Sequence, residues 1–258
     1  MEHQKIIDYI VQWLKSYADQ SNIDGFVVGV SGGVDSAVTS SLCALTSKKL
    51  IVVSMPILQS KDQLNRSVEH VKWLKSKFTN VSDLKIDLTD IFKSTKKSYP
   101  VEIQDELTMA NVRSRLRMTT LYALAGHHQF LVAGTGNKVE DFGVGFFTKY
   151  GDGGVDVSPI ADLMKSEVFN IASHLNIVDS ILKAKPTDGL WGDDRSDEDQ
   201  LGATYPELEW AMKNVNNKSI DSMTDRQLEV MKIYNNLNKI NQHKISPIPV
   251  CEIPEKWK

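Results

Sequence analysis

The residues best suited to chemistry lie in GVSGGVDSAV (29–38), between a short apolar run and a small-residue segment. Gly32 and Gly33 permit positive φ and let the backbone approach a ligand closely. Ser31, Ser36 and the N–H groups opening the following helix supply donors aimed at an anion. The run lacks the lysine of a Walker A loop and does not match the GxGxxG dinucleotide fingerprint. An acid in an anion-binding turn gains nothing unless a cation mediates, so Asp35 suggests a magnesium ligand. A tight strand-to-helix turn would explain the glycines but not that aspartate.

Other polar groups stand in less decisive settings. Arg113, Arg115 and Arg117 alternate along a helix and so point to different faces. Phe146 and Phe147 interrupt a glycine-rich stretch with no core-forming period, which leaves ring stacking on a ligand and ordinary burial both open. Asp152 sits in YGDGG, where a turn aspartate and a functional carboxylate look alike.

The elements that must position these groups alternate between strand and helix. GFVVGV (25–30), LIVVSMP (50–56) and FLVAGT (130–135) are apolar, β-rich runs that read as buried strands, and LKIDL (84–88) alternates as a further one. Ile6, Ile10, Trp13, Leu14 and Tyr17 fall at helical spacing in 4–19, and a small-residue helix spans roughly 36–47. Ser60 and Gln63 pair as a capping box ahead of a stripe of Leu64, Val68, Val71, Trp73, Leu74 and Phe78. A long helix over 102–125 should end at Gly126, and helices near 165–175, 206–214 and 222–241 fill the last third. The expected fold is α/β: a doubly wound, mostly parallel sheet flanked by helices, one domain over 1–258 with a helical C-terminal third. Ligands of such sheets gather beyond the carboxyl ends of the strands, where SGGVDS and GTGNKVED (134–141) lie.

Composition removes other classes. The 258 residues are 41% hydrophobic and 24% charged, ordinary for a globular chain. No apolar run approaches the roughly 20 residues of a membrane span, and the N-terminus lacks the order of a signal peptide. Cys43 and Cys251 cannot make a disulfide framework or a four-cysteine zinc site, so a cytoplasmic setting is expected. A net charge of −3 gives no global attraction for nucleic acid.

SGGVDS resembles the pyrophosphate loop of the ATP pyrophosphatases, which cleave ATP to AMP and pyrophosphate while adenylating a substrate. NVRSRLRM (111–118), GTGNKVED, GFFTKYGDGGVDVSPIADLMK (145–165), KPTDGLW (185–191), DEDQLGATY (197–205) and HK (243–244) then follow in the order of the NAD synthetases. The resemblance spans roughly residues 5–258, and GFFTKYGDGG is its most specific part. It implies conversion of nicotinic acid adenine dinucleotide, ATP and ammonia into NAD, AMP and pyrophosphate.

By that resemblance, Gly29, Val30, Ser31, Gly32, Gly33, Val34, Asp35, Ser36, Thr135, Lys165 and Thr187 contact ATP, while Asp35 and Glu140 hold magnesium. Arg115, Phe146, Lys149, Asp156, His243 and Lys244 match positions binding the dinucleotide, and Asp152 lies beside the ammonia site, to orient ammonia or accept its proton. Two departures stand out. HKIS lacks the second basic residue of several relatives, and Gly136-Asn137 replaces an aspartate-histidine pair, which leaves the role of Asn137 open.

Only 30 residues precede Ser31, so no glutaminase domain is expected ahead of the loop and free ammonia should be the nitrogen source. The resemblance also implies a homodimer, with the apolar circumference of the 102–125 helix covered by a second subunit and Arg115 near the partner's ligand. The acidic, glycine-containing stretch 188–202 should be mobile without ligand and close as a lid. Two rivals are weaker. Sulfur transfer to tRNA would need a reactive cysteine and a basic surface, and a nucleotide sensor without turnover has no use for Glu140, Asp152 and the substrate-side cations together.

Overall fold

Strands β1 (Gly25–Gly29), β2 (Lys49–Ser54), β3 (Val81–Lys85) and β4 (Leu131–Val132) form one parallel sheet in the computed structural model, in the order β3-β2-β1-β4. The model describes residues 2–187, 189–190, 196–216 and 223–258. The chain starts at β1, steps outward to β2 and β3, then returns to lay β4 on the other side of β1. The order therefore reverses between β1 and β4, and a crevice opens beyond their carboxyl ends.

Helices cover both faces. On one side Phe26, Val28, Leu50, Val52 and Leu131 pack with α1 (His3–Gln20), α2 (Val34–Leu45) and Leu74 of α3 (Lys61–Lys77). On the other, Val27, Ile51, Val53 and Val132 meet Phe92 of α4 (Thr89–Ser98) and Met109 and Val112 of α5 (Glu106–His128). This alternation explains why the strands read as unbroken apolar runs: odd and even residues are both buried, against different helices. The first layer is completed by α6 (Lys165–His174) and α7 (Asp179–Leu182). Beyond them α8 (Asp197–Leu201), α9 (Tyr205–Asn214) and α10 (Asp225–Ile240) build a third apolar cluster around Tyr205, Leu208, Val230 and Tyr234, and α11 (Gln242–Ile245) follows. No helix among the described residues is long and apolar enough to cross a membrane.

Several elements differ from the sequence-based expectation. The edge strand is 81–85 rather than 84–88: its pairing with Leu50–Ser54 fixes the register, and Ser82–Lys85 are exposed, so hydrophobic alternation misplaced it. The fourth strand pairs with β1 over only two residues; the Ala133 N–H still donates to the Val27 carbonyl of β1 at 3.0 Å, and Ala133 bridges Val157 on its other side. Helix α5 runs through Gly126 and stops where Gln129 takes a left-handed conformation with φ 57°. Helix α1 buries Ile7, Ile10, Leu14 and Ala18, leaving Trp13 and Tyr17 partly exposed.

The capping serine of α3 is confirmed, with Ser60 accepting from the Gln63 N–H. Its buried face, however, is Gln63, Ser67, His70 and Leu74, not the apolar stripe, and Val68 is exposed. The expected lid at 188–202 divides: Asp188 and residues 191–195 lie outside the described residues, whereas Asp197–Leu201 is a helix capped by Ser196.

Candidate active site

The phosphate loop leaves β1 and enters α2 with Gly33 at the N-cap. Gly32 has φ +87°, and a Cβ there would lie 2.6 Å from the Gln63 carbonyl oxygen, so glycine is required twice over. The two serines predicted to serve the ligand also brace the loop. Ser36 Oγ donates to the Gly33 carbonyl at 3.0 Å and accepts from the Ser31 N–H at 3.2 Å, while the Gly33 N–H donates to Ser31 Oγ at 3.2 Å. The first intrahelical bond runs from the Ala37 N–H to the Gly33 carbonyl. The N–H groups of Val34, Asp35 and Ser36 therefore have no acceptor within the helix and open toward the crevice as an anion site.

Across the crevice, beyond β4, Asn137 is fully buried and directs the opposite wall. Its Oδ1 accepts from the Val139 and Glu140 N–H groups at 3.1 and 3.2 Å, fixing the start of a π-helical turn over Val139–Val144. Its Nδ2 donates to Asp35 Oδ1 at 3.1 Å, joining the two walls. This is the role left open by the sequence. The single amide satisfies one turn and orients one carboxylate.

Lys165 stands between the walls. Its ammonium donates to Asp35 Oδ2 at 2.6 Å and to Glu140 Oε1 at 3.0 Å, with only 3% of the residue exposed. Burial alone would push this ammonium down, but the charges of Asp35 and Glu140 outweigh it and raise its pKa. Burial raises the Glu140 carboxyl, the Lys165 charge opposes that rise, and the Asp35 charge adds to it. Glu140 also accepts from the Tyr205 hydroxyl at 2.5 Å. Lys165 is the first residue of α6, where a helix dipole disfavours a cation. Glu167 accepts from the Met164 N–H at 2.8 Å and Glu209 from the Ser166 N–H at 2.8 Å, so acids fix that helix end and hold the lysine in place.

The resulting cavity is lined by all of 29–36, by Thr135, Glu140, Phe146, Asp152, Lys165 and by Thr187. Every expected ATP and metal residue is thus brought together. Asp152 lies on a turn anchored to α5: its Oδ1 accepts from Ser114 Oγ at 2.6 Å and from the Thr148 N–H at 3.0 Å. It also lines a smaller adjoining cavity shared with Lys244, Asp141 and Phe147. There Lys244 donates to the Phe147 carbonyl at 2.8 Å, and burial lowers its pKa against the pull of Asp152.

The remaining substrate-side residues sit farther out. Arg115 is exposed and donates to the Lys149 carbonyl at 3.3 Å, and the Lys149 ammonium donates to the His243 carbonyl. Asp156 lines neither cavity; it accepts from the Val132 N–H at 2.8 Å and from the Tyr122 hydroxyl at 3.0 Å. Sequence reasoning left Asn137 without a role and missed Ser114, Asp141 and Tyr205. Asp141 occupies the space beside Gly136, whose Cβ would lie 2.2 Å from its carboxylate. Burial, then the charges of Glu140, Asp152 and Asp35, push Asp141 up to about 8.

The NAD synthase family model matches residues 6–248. The chain belongs to the NAD synthase family. Among curated relatives, the NH(3)-dependent NAD(+) synthetase of Mesoplasma florum is 34% identical over 95% of each chain, and that of Methanocaldococcus jannaschii is 33% identical over 97% of each. Of solved structures, NMN synthetase from Francisella tularensis superposes with a TM-score of 0.83 at 28% identity over 99% of each chain. The NH3-dependent NAD synthetase of Campylobacter jejuni, at 24% identity and a TM-score of 0.80, shares the fold over 98% of this chain.

Membership sharpens the reading of the Asp35–Lys165–Glu140 knot. Two carboxylates converge on one small cation beside an anion-binding loop, and among the described residues no group of three or more histidines, cysteines or acids is placed to hold a metal ion. A divalent ion that takes one or two carboxylates and completes its shell with substrate phosphates and water fits that donor set.

Proposed function

We propose that this chain amidates the nicotinate carboxylate of nicotinic acid adenine dinucleotide with ammonia, cleaving ATP to AMP and pyrophosphate. The observation that carries the reading is the meeting of Asp35, Glu140 and Lys165 beside the phosphate loop at the sheet's switch point. The NH(3)-dependent names of the curated relatives support it. A carboxylate oxygen of the substrate attacks the α-phosphorus, the bond to pyrophosphate breaks, and an acyl-adenylate forms. Ammonia then attacks the acyl carbon, AMP departs with the anhydride oxygen, and the nitrogen sheds a proton.

Charge gathers on the departing pyrophosphate, where the N–H groups of Val34, Asp35 and Ser36 stand preorganised. Lys165 adds a fixed positive charge, and Thr135 and Thr187 line the nucleotide's path. Magnesium held by Asp35 and Glu140 would supply further charge neutralisation there. Phe146 offers a face for the nicotinate ring, and Asp152, held by Ser114, orients ammonia or takes its proton. Arg115, Lys149, His243 and Lys244 grip the outer half of the dinucleotide, with Asp156 supporting them from the β4 side.

In this reading the working unit is a cytoplasmic homodimer, and sedimentation should report about twice 28.9 kDa. The name of the Francisella neighbour favours a second acceptor, nicotinic acid mononucleotide, which lacks the outer half. The decisive assay supplies ATP, magnesium and either acceptor to the purified chain, then ammonium or glutamine. Formation of NAD with ammonium alone is expected. No amidation of either acceptor would overturn the proposal, and amidation of the mononucleotide only would transfer it to that substrate.

A further inference from the structure

The buried face of α3 is polar, and its partners are the carbonyl groups of the phosphate loop. Ser67, 2% exposed, donates to the Val30 carbonyl at 3.1 Å. Arg66 Nε donates to the Gly32 carbonyl at 3.3 Å. His70, 1% exposed, reaches the loop through Ser40: its Nε2 lies 2.9 Å from Ser40 Oγ, which donates to the Ser36 carbonyl at 2.7 Å. One hydroxyl proton cannot serve both the ring and the helical carbonyls of Ser36 and Ala37, the latter at 3.1 Å; with that proton directed at the carbonyls, Ser40 accepts from His70. That fixes the Nε2–H tautomer and leaves Nδ1, buried and without a partner, as the bare nitrogen. A charged ring would bury an unmatched donor there, and burial accordingly lowers the His70 pKa to about 4. The ring stacks on Trp73 with centroids 5.5 Å apart at 20°.

The loop's backbone can turn either its N–H groups or its carbonyls toward a ligand. A carbonyl facing a polyphosphate repels it, whereas an N–H attracts it. We propose that α3 positions the phosphate loop for the polyphosphate of ATP: Ser67 and Arg66 hold the carbonyls of Val30 and Gly32 away from the crevice, and the His70–Ser40 pair braces the first turns of α2, whose leading N–H groups face it, with Ser67 and His70 as positioning residues. The inference rests on the ATP-dependent reading above for its ligand. It explains why a helix packed on an apolar layer buries hydroxyls and an imidazole, which would cost stability without such partners. It also explains the crowding at Gly32: the Gln63 carbonyl of α3 stands where a side chain would go.

The test measures binding directly and separates this inference from turnover. Kd values for ATP, inorganic pyrophosphate and AMP are compared by calorimetry for the parent, Ser67→Ala, His70→Phe and His70→Gln, with thermal melting of each. His70→Phe keeps the stacking surface and removes the donor; His70→Gln restores an N–H near the same place. Loss of one such bond should weaken ATP and pyrophosphate about tenfold. AMP, which presents no β or γ phosphate to the loop, should change less than about twofold, and His70→Gln should recover most of the loss. Equal weakening of all three ligands, or a lowered melting temperature with pyrophosphate affinity intact, would reduce α3 to a packing element and overturn the proposal. A parent that binds ATP but forms no NAD would sink the proposed reaction and leave this inference standing. A parent that binds neither ATP nor pyrophosphate would end both.

Discussion

Replacing Lys165 by methionine removes a buried ammonium and nothing else of comparable bulk. It sits 2.6 Å from Asp35 and 3.0 Å from Glu140, with 4% of its side chain exposed, so little solvent is at hand to take over its task. Breaking a buried pair by deleting one partner costs about 3–5 kcal/mol, because the remaining charge stays desolvated. For a chain of this size that corresponds to a fall in Tm of about 6–20 °C. The loss should depend on pH in a defined sense. Glu140 already has a raised pKa, by burial first and the Asp35 charge besides, and without Lys165 only the Tyr205 hydrogen bond opposes that rise. A carboxyl raised in the folded state binds a proton that the unfolded chain has released, so its stability is present below the unfolded pKa and lost as pH climbs. The variant should therefore be closest to the parent at acidic pH and fall increasingly behind it as pH rises above the ordinary carboxylate range. Melting curves in chelator at several pH values measure this. Millimolar magnesium should then rescue the variant's Tm more than the parent's, since a cation bound by the two carboxylates replaces the lost charge. A parental Tm at the higher pH, or a deficit independent of pH, would refute the assignment of Lys165 as their counter-charge.

Asp35→Asn and Glu140→Gln should each slow pyrophosphate release by at least about 100-fold while the circular dichroism spectrum is retained. Ser114→Ala should loosen Asp152 and raise the KM for ammonium about tenfold, with the KM for ATP unchanged. Gly136→Ala should destabilise by about 1–3 kcal/mol in the parent and by much less in an Asp141→Ala background, since the clash is with that carboxylate; chemical denaturation of the four proteins closes the cycle. Asp141→Asn should flatten the decline of stability from the ordinary carboxylate value of 3.8 up to about pH 8, because it removes a carboxyl that stays protonated in the folded protein where the unfolded chain has released its proton.

The phosphate loop was legible because its requirement is backbone conformation, and only glycine meets it at Gly32. Asp35, Glu140 and Lys165 came from motif order, and their meeting point needed no further sequence signal, since loops after adjacent parallel strands share one sheet edge. The role of Asn137 stayed open and Ser114 escaped notice because their work is pairwise: an amide and a hydroxyl acquire meaning only beside Asp35 and Asp152. The inward face of α3 was hidden for a related cause. Hydrophobic periodicity places apolar residues inside, but Ser67 and His70 are drawn there by carbonyls of another segment. Strand ends were misplaced where pairing partners, not side chains, set them, as where Val81–Lys85 pairs with Leu50–Ser54.

The late arrival of β4 has a bearing on the protein's synthesis. Asp35 and its amide partner Asn137 are 102 residues apart, and Asp35 and Lys165 are 130 apart. A chain emerging from the ribosome with β1, β2 and β3 already paired owns the glycine loop but no facing wall. It carries one carboxylate where the finished protein has two and a lysine. Nascent or prematurely released chains should thus be unable to retain nucleotide, and fragments ending before β4 should elute from gel filtration free of ATP.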